Sequence, residues 1–457
     1  MIDRRRFLKT LAVAAATPTV SLAREDGESG FGRLRPDPEG ILDLPAGFSY
    51  TVISRRGEEM DDGLLVPGLH DGMAAFAAEN GTVRLVVNHE IYPSWQGVGA
   101  FGADLERLER IDRTRVYDFG KGRTPGAGGT TTIHYDPARK ERLRIHLSLA
   151  GTEINCAGGP MPWGSWLSCE ETFTDPGTGF ERGTVVHREK RHGYIFEVPA
   201  SGDGLTEPVP LTAMGRFEHE AAAADPATGI VYLTEDRHDS LFYRFLPNVP
   251  GKLREGGKLQ ALAVRSRPRF DSRNWAGRGI EPGQWLETDW VDLEEPDVNR
   301  NNLRLQGLEK GAAIFARGEG LCHTGSQLAF TCTIGGPERL GQVFLYEPGP
   351  AEGTAGEKDR PGRFGLLCES NSGSILRNAD NIRMSPWGDL VVCEDTAEHC
   401  GLVGVRADGS QYPIADNAYN TAELAGICFS PDGSVMFVNV QQVGVTLAIT
   451  GPWSRST

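Results

Sequence analysis

Basic residues are in short supply in this chain. Its 47 lysines and arginines stand against 62 aspartates and glutamates, a formal net charge of −15 over 457 residues. A surface of that sign repels phosphate backbones and anionic lipid, so nucleic acid is not an expected partner. Long apolar runs are missing too: none reaches the length of a bilayer-spanning helix, and stable membrane insertion is not expected. Apolar residues at helical spacing are scarce, which argues against a helical bundle. The eight cysteines (156, 169, 322, 332, 368, 393, 400 and 428) show no zinc-ribbon spacing. Several lie in apolar runs such as LVVCED, GICFS and AFTCTI and are expected as small core residues, leaving room for one bridged pair. A hydrophobic fraction of 39% and eight tryptophans argue against disorder.

Glycine and proline, by contrast, are abundant, with 58 and 28 copies, the mark of many short turns. Short runs rich in β-branched and aromatic residues (TTTIHYDP, HGYIFEVP, GIVYLTED, QVFLYEPG, SVMFVNV) alternate with turn signals, and the expected class is all-β. The N-terminus follows a different logic. Asp3-Arg4-Arg5-Arg6-Phe7-Leu8-Lys9, an apolar run from Leu11 to Val20 and Ser21-Leu22-Ala23 form a twin-arginine signal peptide over residues 1–23. Export by the twin-arginine machinery to the periplasm or the medium follows as an expectation. Residues 24–39 are polar and expected to be a flexible segment, with a single domain over 40–457. FGADLERLERIDRTR, from Phe101, suits either a surface helix or a long loop.

Six stretches repeat one pattern. They begin at His70 (HDGMAAFAAENGTVRLVVNHE), Asn155 (NCAGGPMPWGSWLSCEE), His219 (HEAAAADPATGIVYLTED), Gly318 (GEGLCHTGSQLAFTCTIGG), Asp380 (DNIRMSPWGDLVVCED) and Glu423 (ELAGICFSPDGSVMFVNV). Each has a polar or acidic leading residue, a small-apolar strand, a turn and a second apolar strand that in most ends in polar groups. Cys156 to Glu170 is 14 residues, Glu220 to Glu235 is 15, and Asp380 to Glu394 is 14. Two short antiparallel strands and their turn fill that length, so both ends return to one face. Six such hairpins about an axis predict a six-bladed β-propeller, with the hairpin ends ringing the mouth of the channel. FSYTVISR near the N-terminus and VTLAIT near the C-terminus are placed to close the ring.

The leading and trailing groups collected this way are Asp71, Glu90, Cys156, Glu170, Glu171, Glu220, Glu235, Glu319, Asp380, Glu394, Asp395 and Glu423. So many carboxylates cannot crowd one mouth in ionised form without cations among them. Carboxylate oxygens suit calcium and iron(III), while a lone thiolate favours a transition metal such as iron. The chemistry expected of such a cluster is metal-assisted hydrolysis. A solvated strand-end acid is the plainer reading for any single residue, and His89 and His219 suit a supporting role beside metal ligands as well as ligation. Arg317, two residues before Glu319, suits either a phosphate clamp or a partner for that acid.

NCAGGPMPWGSWLSCEET, GRFEHEAA, the glutamate of ARGEG and ELAGICFSPDGSVMFVNVQ with a closing GPW resemble the PhoX-type alkaline phosphatases, from about Leu42 to Trp453. The resemblance implies a six-bladed propeller whose mouth holds iron and calcium and which hydrolyses phosphate monoesters. It implies iron ligation by Cys156 and Glu220, with Glu319 in the same cluster, and metal binding by one or both of Glu170 and Glu171. It further implies calcium ligation by Asp380, Asp395 and Glu423 and contact of Arg317 with the substrate phosphate. Glu90 joins the metal set from the repeat pattern, and a monomer acting on a small phosphoester is expected. The chain is shorter than the typical family member, and RGEG departs from the usual proline and aromatic beside the glutamate. Two further functions fit a propeller of this kind: a calcium-dependent lactonase or phosphodiesterase without iron, and a non-catalytic scaffold.

Overall fold

The computed structural model describes residues 30–453; the twin-arginine segment lies outside the described residues. Within them the chain forms 28 β-strands and one short α-helix, Leu303–Glu309, in an all-β, propeller-like arrangement of antiparallel meanders. The first meander shows the plan. His70–Ala77, Val83–His89, Gly128–Asp136 and Glu141–Thr152 pair in chain order, each strand hydrogen-bonded to the next. Alternation puts residues such as Leu85, Val87, Ile133 and Ile145 into the layer between sheets, where they are buried. Trp285–Asp292 pairs on one side with Gly257–Val264 and on the other with Arg363–Glu369, joining two meanders into a nine-stranded sheet. The last meander ends in Val445–Thr450, which pairs with Ser49–Arg55 from the other end of the chain, the closure that FSYTVISR and VTLAIT suggest.

Two expectations for loop regions are refined. Of residues 24–39, the described part from residue 30 is held in place: Leu34–Arg35 pairs with Leu42–Pro45, and Phe31 packs edge-on against Trp387, Phe48 and Trp453. The stretch from Phe101 is a long loop with two single 3₁₀ turns, Leu108–Arg110 and Arg113–Arg115, rather than a helix.

What positions the site is the innermost strand of each repeat. These strands are His70–Ala77, Asn155–Met161, His219–Ala224, Gly318–His323, Ala379–Met384 and Leu424–Phe429, and each neighbours the next in a closed cycle. Their backbones lie so close that small residues are obligatory on the facing side. A Cβ on Gly320 would stand 2.6 Å from the Asp380 carbonyl oxygen, and one on Gly72 would stand 2.6 Å from the Ala157 Cα.

Every one of the six carries a β-bulge near its start. The register shifts fall between His70 and Met73, Asn155 and Gly158, His219 and Ala222, Gly318 and Leu321, Ala379 and Ile382, and Ala425 and Cys428. A bulge inserts one residue and re-aims the side chains on it. Just before four of these strands the backbone is left-handed, at Leu69, Ile154, Arg317 and Asn378, with φ of 47°, 50°, 55° and 47°. For a β-branched residue such as Ile154 that conformation is costly, and the surrounding contacts must hold it.

Gly426 has φ of +66°, and a Cβ there would run into the carbonyl oxygen of Asp71 in the neighbouring strand. Gly426→Ala should therefore lose at least about 1 kcal/mol in urea unfolding. Gly204→Ala, where no atom lies within 4 Å of the added carbon, should stay within about 0.5 kcal/mol of the parent.

Candidate metal centre

The bulges and kinks place one side chain per repeat at the same point. Counting two residues on from each left-handed or leading position gives Asp71, Cys156, Glu220, Glu319 and Asp380. The sixth repeat has Ala425 there and supplies Glu423, its leading residue, instead. Opposite them, the residue after each second strand donates its backbone N–H to the leading residue's carbonyl. Glu90 bonds Leu69, Glu171 bonds Ile154, Asp236 bonds Glu218, Thr333 bonds Arg317, Asp395 bonds Asn378 and Gln441 bonds Glu423. This shared clamp brings both ends of each hairpin to one mouth.

Four overlapping groups result, each with ligand atoms within 4.8 Å of one another: Cys156–Glu171–Glu220, Glu220–Glu319–Asp380, Asp380–Asp395–Glu423 and Asp71–Glu90–Glu423. Glu220, Asp380 and Glu423 each belong to two groups, so the nine side chains form a continuous belt. Burial and then the neighbouring carboxylates push Glu171, Glu220 and Glu423 well above the usual carboxylate range. Asp380 rises for the same reasons, and Asp71 is pushed up to about 6. Burial, then Glu220 and Glu171, raise the Cys156 thiol, which donates to the His219 carbonyl at 3.3 Å.

One guanidinium reaches into this belt. Arg317 grips Asp236 with Nε and Nη2 at 2.6 and 2.7 Å, and Nη2 also donates to Glu319 at 2.7 Å. Burial works against Asp236, but the Arg317 charge and hydrogen bonds hold its carboxyl below the usual range. Eight carboxylates and a thiol need more positive charge than one arginine supplies, and the donor set fits metal cations. The groups made only of carboxylates suit hard cations such as calcium; the one containing Cys156 suits a transition metal.

Of the residues singled out in the sequence, Cys156, Glu171, Glu220, Glu319, Asp380, Asp395, Glu423 and Glu90 all lie in the belt. Glu170 does not. It points away into a buried network, accepting from His192 Nδ1 at 2.7 Å and from the backbone N–H groups of Glu153, Gly193 and Tyr194. Strand alternation separates the Glu170–Glu171 pair to opposite sides. Glu394 likewise accepts from the Arg377 and Gly401 N–H groups, leaving Asp395 to the mouth. His89 and His219 are buried with their hydrogen bonds directed to backbone and threonine, away from the belt. Gln441, which the sequence did not single out, bridges Asp71 and Glu90 at 2.7 and 2.8 Å. Asp236 was visible only as one half of Glu235–Asp236; its place in the repeat, one past the second strand, is the signal. All eight cysteines are buried free thiols, so the room left for one bridge is not used.

A model of the family "Alkaline phosphatase PhoX" matches residues 29–444. Among solved structures, the chain is similar to Pseudomonas fluorescens PhoX in complex with vanadate, a transition state analogue. That match has 16% identity and a TM-score of 0.66 and covers 90% of this chain and 96% of the other. It is also similar to a gluconolactonase from Xanthomonas campestris, with 11% identity, a TM-score of 0.42, and coverage of 90% and 97%. No curated protein matches the sequence. Among the described residues, no helix is long and apolar enough to cross a membrane.

The network behind Glu170 makes a prediction of its own. His192 is buried among Glu170, Asp118 and Glu153, with Arg188 on Glu153. Burial opposes its charge, but the Glu153 and Glu170 carboxylates outweigh that and raise its pKa from 6.5 to about 10. Its stabilising contribution is therefore complete below pH 6.5 and is lost as pH rises through about 10. The urea midpoint of the parent should fall between pH 7 and 10.5 more steeply than that of His192→Gln. The gap between the two should narrow as pH rises.

Proposed function

The chain belongs to the PhoX family of alkaline phosphatases, and on that premise we propose that it is a metal-dependent phosphatase hydrolysing phosphate monoesters. The cycle of innermost strands is taken as six blades, with an iron- and calcium-containing cluster at the mouth of their channel. The observation that carries this reading is the belt itself: nine side chains able to ligate metal, in four overlapping groups, one of them with a thiol.

Cys156, Glu171 and Glu220 would hold iron. Asp380, Asp395, Glu423, Asp71 and Glu90 would hold calcium, with Glu319 joining the two ends through Glu220 and Asp380. When bound, these metals supply Lewis acidity toward the phosphoryl oxygens and neutralise the charge that develops on them. The chain's own part is to receive and orient the phosphate. Asp236 and Glu319 fix the Arg317 guanidinium on three bonds, and its Nη1 has no partner among the described residues. That N–H group donates to a phosphate oxygen, and since the guanidinium is already locked in place, little motion is lost when it does. The left-handed backbone at Arg317 belongs to the same arrangement, because it turns the side chain inward at the start of its strand. Export through the twin-arginine pathway to the periplasm or the medium completes the proposal, and is compatible with free buried thiols in a protein carried across a membrane already folded.

Elemental analysis of protein purified without chelator, alongside a p-nitrophenyl phosphate assay, tests this reading. Iron with calcium and turnover are expected together. Cys156→Ser and Glu220→Gln should each lower turnover by at least about a hundredfold and remove iron in parallel, a larger loss than changes to groups that only hydrogen-bond a metal ligand give. Full turnover in metal-free protein would sink the proposal. Calcium and ester hydrolysis without iron would favour the lactonase or phosphodiesterase class.

A further inference from the structure

Beyond Thr333 the chain leaves the mouth and runs along its rim to Gly341 before entering the strand Gln342–Glu347. Thr333 itself is tied to the centre: its N–H donates to the Arg317 carbonyl at 3.1 Å and its hydroxyl to the carbonyl of Ala379, next to Asp380. The following residue, Ile334, accepts from the indole Nε1 of Trp275 at 2.8 Å. Two guanidiniums flank that indole, Arg273 at 4.3 Å and Arg339 at 4.4 Å from the ring centroid. They are not equivalent. Arg273 is paired with Asp271 at 2.7 Å and donates to the His238 carbonyl at 3.0 Å. Arg339 is exposed, and its guanidinium has no acid partner among the described residues.

Of the neighbouring arginines, Arg317 is paired with Asp236 and Glu319, Arg237 with Glu218 and Arg304 with Asp239, while Arg377 donates to the Ser372 carbonyl and is stacked on no ring among the described residues. In a chain with this excess of acids, a stacked guanidinium left uncompensated beside the mouth is a group waiting for an anion. Stacking on the indole restricts its side chain, and a planar fork suits a carboxylate or phosphate.

We propose that Arg339, braced on Trp275, binds a second anionic group carried by the leaving-group portion of the substrate. The favoured substrates are then phosphate monoesters with a further carboxylate or phosphate, rather than esters of neutral alcohols. This inference rests on the phosphatase reading, which places the reacting phosphate at Arg317.

A matched pair of esters tests it on the metal-loaded protein: phenyl phosphate and 4-carboxyphenyl phosphate, which differ only in the extra anion. The parent should prefer the carboxylated ester in kcat/KM. Arg339→Gln should lower the ratio of the two kcat/KM values about tenfold, the size of one charge-assisted hydrogen bond. Arg339→Lys, which keeps the charge but not the fork, should recover part of it, and Trp275→Leu should lower the ratio with the charge intact. An unchanged ratio in Arg339→Gln, or no preference in the parent, would overturn the assignment.

Should neither ester be hydrolysed, the phosphatase reading fails separately, and calorimetric binding of the same two compounds decides the subsite. A preference for the carboxylated compound that disappears in Arg339→Gln supports it. Equal binding, or none, overturns it.

Discussion

Everything at the mouth depends on how closely the innermost strands approach one another. Around the channel their backbones are in contact, and positions such as Gly72 and Gly320 have no space for a side chain. Functional groups must therefore sit at the strand ends, where the ring opens. Side chains of one repeat anchor the backbone that carries the next repeat's ligand. Asn88 donates to the Cys156 carbonyl at 3.0 Å, Thr234 to that of Glu319 at 2.5 Å and Thr331 to that of Asp380 at 2.7 Å. Asn439 closes the cycle on the Asp71 carbonyl at 2.5 Å. These four stand at one position of the repeat, the last but one residue of the second strand for Asn88, Thr234, Thr331 and Asn439 alike. In the other two repeats that position is Cys169 or Cys393, a small buried thiol that fills the space without an equally strong donor.

Two buried collections of charge lie side by side and are stabilised by different means. Around His192 the carboxylates of Glu170, Glu153 and Asp118 meet an imidazole, a guanidinium and backbone N–H groups, so the protein supplies its own positive charge. In the belt the same kinds of acid face one another, with Arg317 the one guanidinium among the described residues paired to them, and their proton affinities rise accordingly. The first arrangement is a closed account of hydrogen bonds that fixes the loop carrying Glu171. The second has far less positive charge from the protein and is the arrangement whose donor set fits metal cations. Adjacent residues, Glu170 and Glu171, serve the two, because a strand turns alternate side chains to opposite sides.

Much of this was legible from the chain alone. The β class, the six repeats, the closing strands and the meeting at one face of eight of the nine belt residues follow from hairpin length, since a return strand of fixed length brings both ends to one face. Asp71 was likewise among the acids collected from the repeats. The acidic pairs were another matter: Glu170–Glu171 and Glu394–Asp395 each offer two candidates, and only register decides which faces the mouth. The bulges were hidden, because one extra residue in a strand leaves no compositional trace. So was the Arg317–Asp236 pair, whose members are 81 positions apart.

Sequence by itself determined the chemistry available here: which acids, which thiol and which arginine recur at the ends of hairpins, because those are properties of residue type and spacing. Tertiary structure alone decided which of them meet. Glu170 left the site because its oxygens found His192 and three backbone N–H groups. Gln441 and Asp236 entered it because closing the ring carried the last repeat to the first and the third to the fourth. Arg339 became a free guanidinium on an indole only once two rim loops, distant in the chain, packed together. Contacts of that kind depend on where loops land in space, and spacing along the chain does not encode it.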